Sequence, residues 1–193
     1  KRVTIIISLD SINPSSASAL TPTNLGTVFA FANIARANNV EPVFRLTSWP
    51  KTSEEEFDKY FEKFKAAAAN KQNDFDLTKN NYGFDLDYEG DGLVGNKMVA
   101  GYLQNLKAST KLDYISAAIE PSDARNISSM FTDSSYKDSI DQFSIMFYDQ
   151  GVNSLAGLGM IKSSLSDIQA TLSKHKSHAS IAAILPTYEE IPN

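Results

Sequence analysis

The stretch YGFDLDYE, residues Tyr82–Glu89, alternates acidic and apolar side chains over the length of one β-strand. Because successive side chains on a strand point to opposite faces, Asp85, Asp87 and Glu89 share one face and the apolar residues share the other. Burying three carboxylates is costly, so a strand with only a structural role is not expected to carry them. The pattern therefore predicts a buried strand that carries a chemical site.

Apolar runs of strand length alternate with helical patterns on both sides of this segment. We predict strands at Val3–Ser8, Val43–Leu46, Tyr82–Tyr88, Tyr114–Ile119, Phe143–Tyr148 and Ala179–Leu185. We predict helices at Thr21–Asn39, from Ser53 onward, at Asn96–Ala108 and at Gly157–His175, with a short helix near Ser129. Such alternation is typical of parallel strands joined by crossover helices, so we expect an α/β fold and a single domain over residues 1–193.

Composition narrows the function classes. The chain has 193 residues, 42% of them hydrophobic, and no cysteine, which excludes disulfide-stapled and cysteine-ligated zinc proteins. It has no apolar run of about 18 residues, the length that a transmembrane helix needs. The net charge is -5 and no lysine and arginine cluster is found, so we expect neither nucleic acid nor an anionic membrane as a partner. Lys1 is not followed by a signal-peptide pattern, which suggests that the sequence starts inside a longer precursor.

The spacing of the three carboxylates predicts their chemistry. Same-face neighbours on a strand lie roughly 6–7 Å apart, so the three groups are not expected to ionise together, and at least one pKa should be raised. In a parallel barrel Glu89 lies nearest the C-terminal rim, and a raised pKa makes it a general acid. Asp87 is then placed to stabilise a developing positive charge, and Asp85 to share a proton with Asp87.

Two other interpretations of this segment are open. An edge strand with a solvated acidic face has the same alternation. A calcium loop is the other, since Asp85, Asp87 and Glu89 are spaced like the first ligands of an EF-hand; its twelfth position, however, is Asn96 and not glutamate.

The acidic segment also resembles a family signature. Gly83, Asp85, Asp87 and Glu89 match the D-G-x-D-x-D-x-E motif of glycoside hydrolase family 18, the chitinases and related endo-β-N-acetylglucosaminidases, with Tyr82 in place of the leading aspartate. Three further segments are similar to later strand ends of that family. They are Ala117–Pro121 for the fifth strand, Met146–Asp149 (MFYD) for the sixth and Pro186–Tyr188 for the seventh.

The resemblance implies a TIM (β/α)8-type barrel and assigns roles to individual residues. Glu89 would protonate the leaving glycosidic oxygen, Asp87 would orient the substrate's acetamido group, and Asp85 would tune Asp87. Tyr148 would donate its hydroxyl group to the acetamido oxygen. The substrate-binding residues would be Met146, Asp149 and Tyr188, and no metal or cofactor is implied. Trp49, the sole tryptophan, follows the end of the predicted strand Val43–Leu46, and it is either a platform on which a sugar stacks or a rim residue packed on the next helix.

The implied activity is hydrolysis of β-1,4 links in N-acetylglucosamine polymers such as chitin, with the substrate's acetamido oxygen as nucleophile. An endo-β-N-acetylglucosaminidase acting on glycoproteins and a non-catalytic carbohydrate-binding barrel are the alternatives. We expect a secreted monomer whose partner is a polysaccharide or glycan. A full barrel needs about 250 residues and eight strands, so the six strands predicted here indicate an incomplete or reduced barrel.

Overall fold

The computed structural model describes residues 3–9, 19–46, 53–87, 92–121, 138–147 and 155–184. Within these residues the strands are β1 (Thr4–Ser8), β2 (Glu41–Leu46), β3 (Tyr82–Leu86), β4 (Leu112–Ile119), β5 (Gln142–Met146) and β6 (Ser180–Ile184). The helices are α1 (Gly26–Ala37), α2 (Glu54–Ala68), α3 (Gly92–Ser109) and α4 (Leu155–His175). The predicted α/β alternation is confirmed, although α3 begins four residues before the predicted Asn96. The short helix predicted near Ser129 lies outside the described residues.

The strands form one parallel sheet in the order β1-β2-β3-β4-β5-β6, which is also their order along the chain. The sheet is curled into a half-barrel. Sequential order in a curled parallel sheet follows from right-handed strand-helix-strand units repeated in one direction. The described residues contain six strands, so a complete eight-stranded barrel is not seen in them.

The two faces of the sheet differ in composition. The outward face, which packs against the helices, carries the aromatic core. Phe44 of β2 and Phe84 of β3 lie side by side in register, and both rings contact Phe64 of α2. Phe29 of α1 contacts both Phe44 and Phe64. The opposite, inward face carries Asp85, so the alternation read from the sequence places the acidic and apolar sets on the predicted faces.

The second helix shows how local sequence fixes an element. Ser53 is the N-cap of α2, and its hydroxyl group accepts a hydrogen bond from the backbone N–H of Glu56 at 3.2 Å. The helix then places Phe57, Phe61 and Phe64 at intervals of three and four residues, and all three are buried. The predicted start of this helix at Ser53 is confirmed.

Tyr82 lies on the outward face, where it is fully buried against Phe44 and Phe84. Its hydroxyl group shares a hydrogen bond with the Thr110 hydroxyl group at 3.0 Å. Burial raises the pKa of Tyr82, because the charged phenolate is disfavoured away from water. The residue that replaces the leading aspartate of the family signature is therefore a core residue, and it points away from the face that carries Asp85.

Gly83, the neighbouring residue on the inward face, is required by the close approach of β4. A Cβ atom at this position would lie 2.9 Å from the backbone oxygen of Tyr114, 3.0 Å from its Cδ1 and 3.1 Å from Val43 Cγ2. We therefore expect Gly83→Ala to lower the free energy of unfolding by about 1–3 kcal/mol, as overpacked sites do. Urea unfolding followed by circular dichroism measures this change.

Gly101 in α3 provides the matched control, since a Cβ atom there would have no contact within 4 Å. Gly101→Ala is expected to stabilise the protein by up to about 1 kcal/mol through helix propensity. Equal unfolding midpoints for the two variants would contradict the close approach at Gly83.

Candidate active site

Three polar residues lie side by side across the middle of the inward face. Arg45 of β2 is in register with Asp85 of β3, which is in register with Ser116 of β4. The same row continues over the rest of the sheet with Ser8 on β1, Gln142 on β5 and Ser180 on β6. Interior layers of parallel barrels are usually filled with bulky branched apolar residues, so this polar row marks the inward face as a candidate site.

Asp85 is at the centre of this row and is only 1% exposed. Arg45 Nε donates to Asp85 Oδ2 at 2.8 Å, and Ser116 Oγ donates to Asp85 Oδ1 at 2.5 Å. Each carboxylate oxygen therefore has a donor from one neighbouring strand. Such hydrogen bonds to an ionised acceptor are the stronger kind, and they fix the orientation of the side chain.

Asp87 follows the last residue of β3 and is 6% exposed. Its backbone N–H still donates to Leu46 O at 3.1 Å, so the pairing with β2 continues for one residue beyond the strand. Its carboxylate Oδ2 lies 3.1 Å from Arg45 Nη1. Asp87 is thus held at the C-terminal end of a central strand, on the same face as Asp85 and nearer the rim.

Arg45 changes the electrostatics expected from the sequence. One guanidinium bridges both carboxylates, so the group formed by Arg45, Asp85 and Asp87 has a formal charge of one negative unit. The spacing of the sequence predicts a proton shared between Asp85 and Asp87, whereas in the structure the Arg45 guanidinium contacts both carboxylates.

The alternative of a solvated acidic edge strand is wrong. The strand β3 is paired on both sides, with β2 and with β4, and Asp85 and Asp87 are buried. The calcium interpretation finds no support in the described part of the chain, where no group of three His, Cys, Asp or Glu residues is arranged to hold a metal ion. Arg45 also binds one oxygen of each aspartate, where a calcium ion would need its ligands.

Of the predicted site residues, Asp85, Asp87 and Met146 fall within the described structure. Met146 is the last residue of β5 and is buried, four residues beyond Gln142 on the same face. The structure therefore brings all three to the inward face, with Met146 at the C-terminal side. The remaining predicted residues lie outside the described residues; they are Glu89, Tyr148, Asp149, Tyr188 and Trp49.

Arg45 is a site residue that the acidic motif does not predict, although the sequence contains a signal for it. It is the one charged residue inside the predicted apolar strand Val43–Leu46, and a cation in a buried strand requires a buried anion nearby. Ser116 carried no such signal, because a serine among small residues in a strand is common. Its contribution depends on the register of β3 with β4, which only the structure provides.

Comparison of the chain with protein-family models and with curated protein sequences gave no match. Within the parts of the chain that the structure describes, none of the helices combines the length and the apolar character needed to cross a bilayer.

Proposed function

We propose that this chain carries the catalytic site of a family 18-type glycoside hydrolase that cleaves β-1,4 links in N-acetylglucosamine polymers outside the cell. The observation that carries the proposal is the two buried aspartates, Asp85 and Asp87, which both contact Arg45 at the C-terminal side of a central strand in a curled parallel sheet. Active sites of parallel barrels lie at this end of the strands. The sequence continues from Asp87 to Glu89 with the period-two spacing that predicts a third carboxylate nearer the rim.

In the proposed reaction, Glu89 gives its proton to the glycosidic oxygen as the bond to the anomeric carbon breaks. The acetamido oxygen of the same sugar attacks that carbon and forms a positively charged oxazolinium-like intermediate, which water then opens with retention of configuration. The Asp87 carboxylate orients the acetamido group and stabilises the positive charge. Asp85, held from both sides, keeps Asp87 in place, and the Tyr148 hydroxyl group holds the acetamido oxygen.

We also propose that the half-barrel is part of a complete (β/α)8 barrel. Among the described residues β1 pairs only with β2, and this supports the proposal because Ile5 and Ile6 point to opposite faces of β1 and both are exposed. A groove of about 670 Å³ runs along this edge, between β1 and Phe31 of α1. Strands that are apolar on both faces are typical of the interior of parallel sheets. Hydrogen exchange of those β1 amides that point away from β2 tests it, since a further strand would protect them and fast exchange would contradict closure.

The test of the proposed activity is Glu89→Gln, assayed by release of a chromophore from a chitobiose or chitotriose conjugate. We expect kcat to fall at least about 100-fold, because general acid catalysis contributes 10²–10⁴-fold, while binding of the oligosaccharide stays nearly unchanged. The amide of glutamine keeps the size of the side chain and removes only the transferable proton.

Glu55→Gln is the matched control, since Glu55 is exposed in the first turn of α2, on the outward side of the sheet. It should retain wild-type turnover. Glu89→Gln with most of the wild-type turnover would overturn the role of Glu89. A wild-type protein that binds chitooligosaccharides without cleaving them would instead be a carbohydrate-binding barrel, and cleavage of a high-mannose glycoprotein but not chitin would make it an endo-β-N-acetylglucosaminidase.

A further inference from the structure

We propose that Arg45 is a positioning residue of this site, whose fixed positive charge takes the place of a proton shared by Asp85 and Asp87. The geometry behind it is a single guanidinium that binds one oxygen of each carboxylate, Asp85 through Nε at 2.8 Å and Asp87 through Nη1 at 3.1 Å. The inference rests on the proposed function for its effect on turnover, but the charge state of the aspartates can be measured without any substrate.

Fold stability does not account for this arrangement. Buried ion pairs seldom stabilise a fold more than well-packed apolar residues of similar volume would, because the charges lose their hydration. The neighbours of Arg45 in β2, Phe44 and Leu46, are fully buried apolar residues, so the strand is otherwise built as core. The cluster of Arg45, Asp85 and Asp87 carries a free-energy cost, because its charges lose hydration in the middle of the sheet. The need for carboxylates on the inward face explains the cluster better than fold stability does.

The consequence for the carboxylates follows from their spacing. Two aspartates separated by one residue on a strand lie roughly 6–7 Å apart, and without a counter-charge one of them tends to retain a proton. An arginine guanidinium is always charged and fits two carboxylates with its fixed fork of donors. With Arg45 between them, a fixed cation bridges the two carboxylates in place of a shared proton, which leaves the Asp87 carboxylate to face the positive intermediate and Glu89 to supply the proton used in catalysis.

Other ionisable groups on the inward face of the described strands are few. Glu41 lies four residues before Arg45 on β2, Tyr114 lies two residues before Ser116 on β4, and Glu120 follows the end of β4. None of these is cationic. Among the described strand residues of this face, Arg45 therefore supplies the positive charge that the two aspartates share.

The experiment compares the wild-type chain with Arg45→Met and Arg45→Lys. For Arg45→Met we expect kcat to fall about 100-fold at neutral pH, with a smaller change in KM, because misplaced catalytic groups cost about that factor. The acidic limb of the pH profile of kcat should move to higher pH in this variant, since the aspartate pair takes up a proton more readily once the cation is removed. Arg45→Lys keeps the charge, so its acidic limb should stay near that of the wild type while kcat falls less.

The second measurement uses NMR of protein labelled with ¹³C at the aspartate carboxyl groups, with no substrate present. In Arg45→Met one aspartate should take up a proton at a distinctly higher pH than in the wild type, and in Arg45→Lys it should not. A lower melting temperature with unchanged carboxyl titration would show a merely structural role and overturn the proposal. If Arg45→Met does not fold, proton uptake by the aspartate pair near neutral pH in Arg45→Lys would overturn it as well. Failure of the proposed glycosidase activity would appear as no turnover in the wild type and would leave this titration unaffected.

Discussion

Replacing Phe44 with alanine is expected to lower the free energy of unfolding by about 3–5 kcal/mol, the usual cost of removing a buried phenylalanine. The Phe44 ring is fully buried, and its centroid lies 5.2–6.4 Å from five other aromatic rings. These rings come from α1, α2, β3 and the segment before β3, so one deletion opens a cavity shared by most of the N-terminal half. Thermal unfolding should show a melting temperature lower by roughly 6–20 °C.

The control for this change is Phe44→Leu, which keeps an apolar side chain of intermediate size at the same position. Phe44→Leu should lower the free energy of unfolding much less than Phe44→Ala, because the destabilisation grows with the volume of the cavity that is left empty. If Phe44→Ala costs less than about 1 kcal/mol, the ring cannot lie in a close-packed cluster. The two variants together separate cavity formation from loss of the aromatic contacts.

Much of the fold could be predicted from the sequence because its local signals agree with one another. The predicted strand Val43–Leu46 lies within β2, which begins two residues earlier, at Glu41. The predicted strand Tyr82–Tyr88 contains β3. Helix α3 begins earlier than predicted because Gly92 and Gly95 in its first turn have low helix propensity, which concealed its start. Closure of the barrel could not be predicted, since it depends on pairing at the sheet edges and not on local patterns.

The candidate site was predictable only along its own strand. Period-two alternation placed Asp85 and Asp87 on one face, and the structure confirms that placement. Their partners come from β2 and β4, each about thirty to forty residues away in sequence. Which residues face each other across strands depends on register, and a shift of one residue would turn Arg45 to the outward face. The pattern of one strand therefore could not predict that Arg45 lies between the two aspartates.

Asp85→Ala is expected to be as damaging to the fold as the loss of the Phe44 ring. The substitution removes the acceptor of Arg45 Nε and of Ser116 Oγ at once, at a position that is 1% exposed. Each buried donor that is left without an acceptor costs about 1–3 kcal/mol, and two donors lose theirs here, while Asp87 still balances the charge of Arg45. Urea unfolding of the variant measures this cost, and turnover should fall with it because Arg45, which binds Asp87, loses the contact between its Nε and Asp85 that fixes its position.

Asp85→Asn separates the two causes of that loss. Its Oδ1 can accept from Arg45 Nε, and its Nδ2 can donate to the Ser116 hydroxyl group, so both hydrogen-bond positions remain filled. The charges of Arg45 and Asp87 then balance one to one, and we expect stability within about 1 kcal/mol of the wild type. If Asp85→Asn is stable and Asp85→Ala is strongly destabilised, the loss in free energy of unfolding comes from buried donors left without an acceptor and not from the change in net charge. Equal destabilisation by both substitutions would contradict the hydrogen-bond network, because only the charge is lost in common.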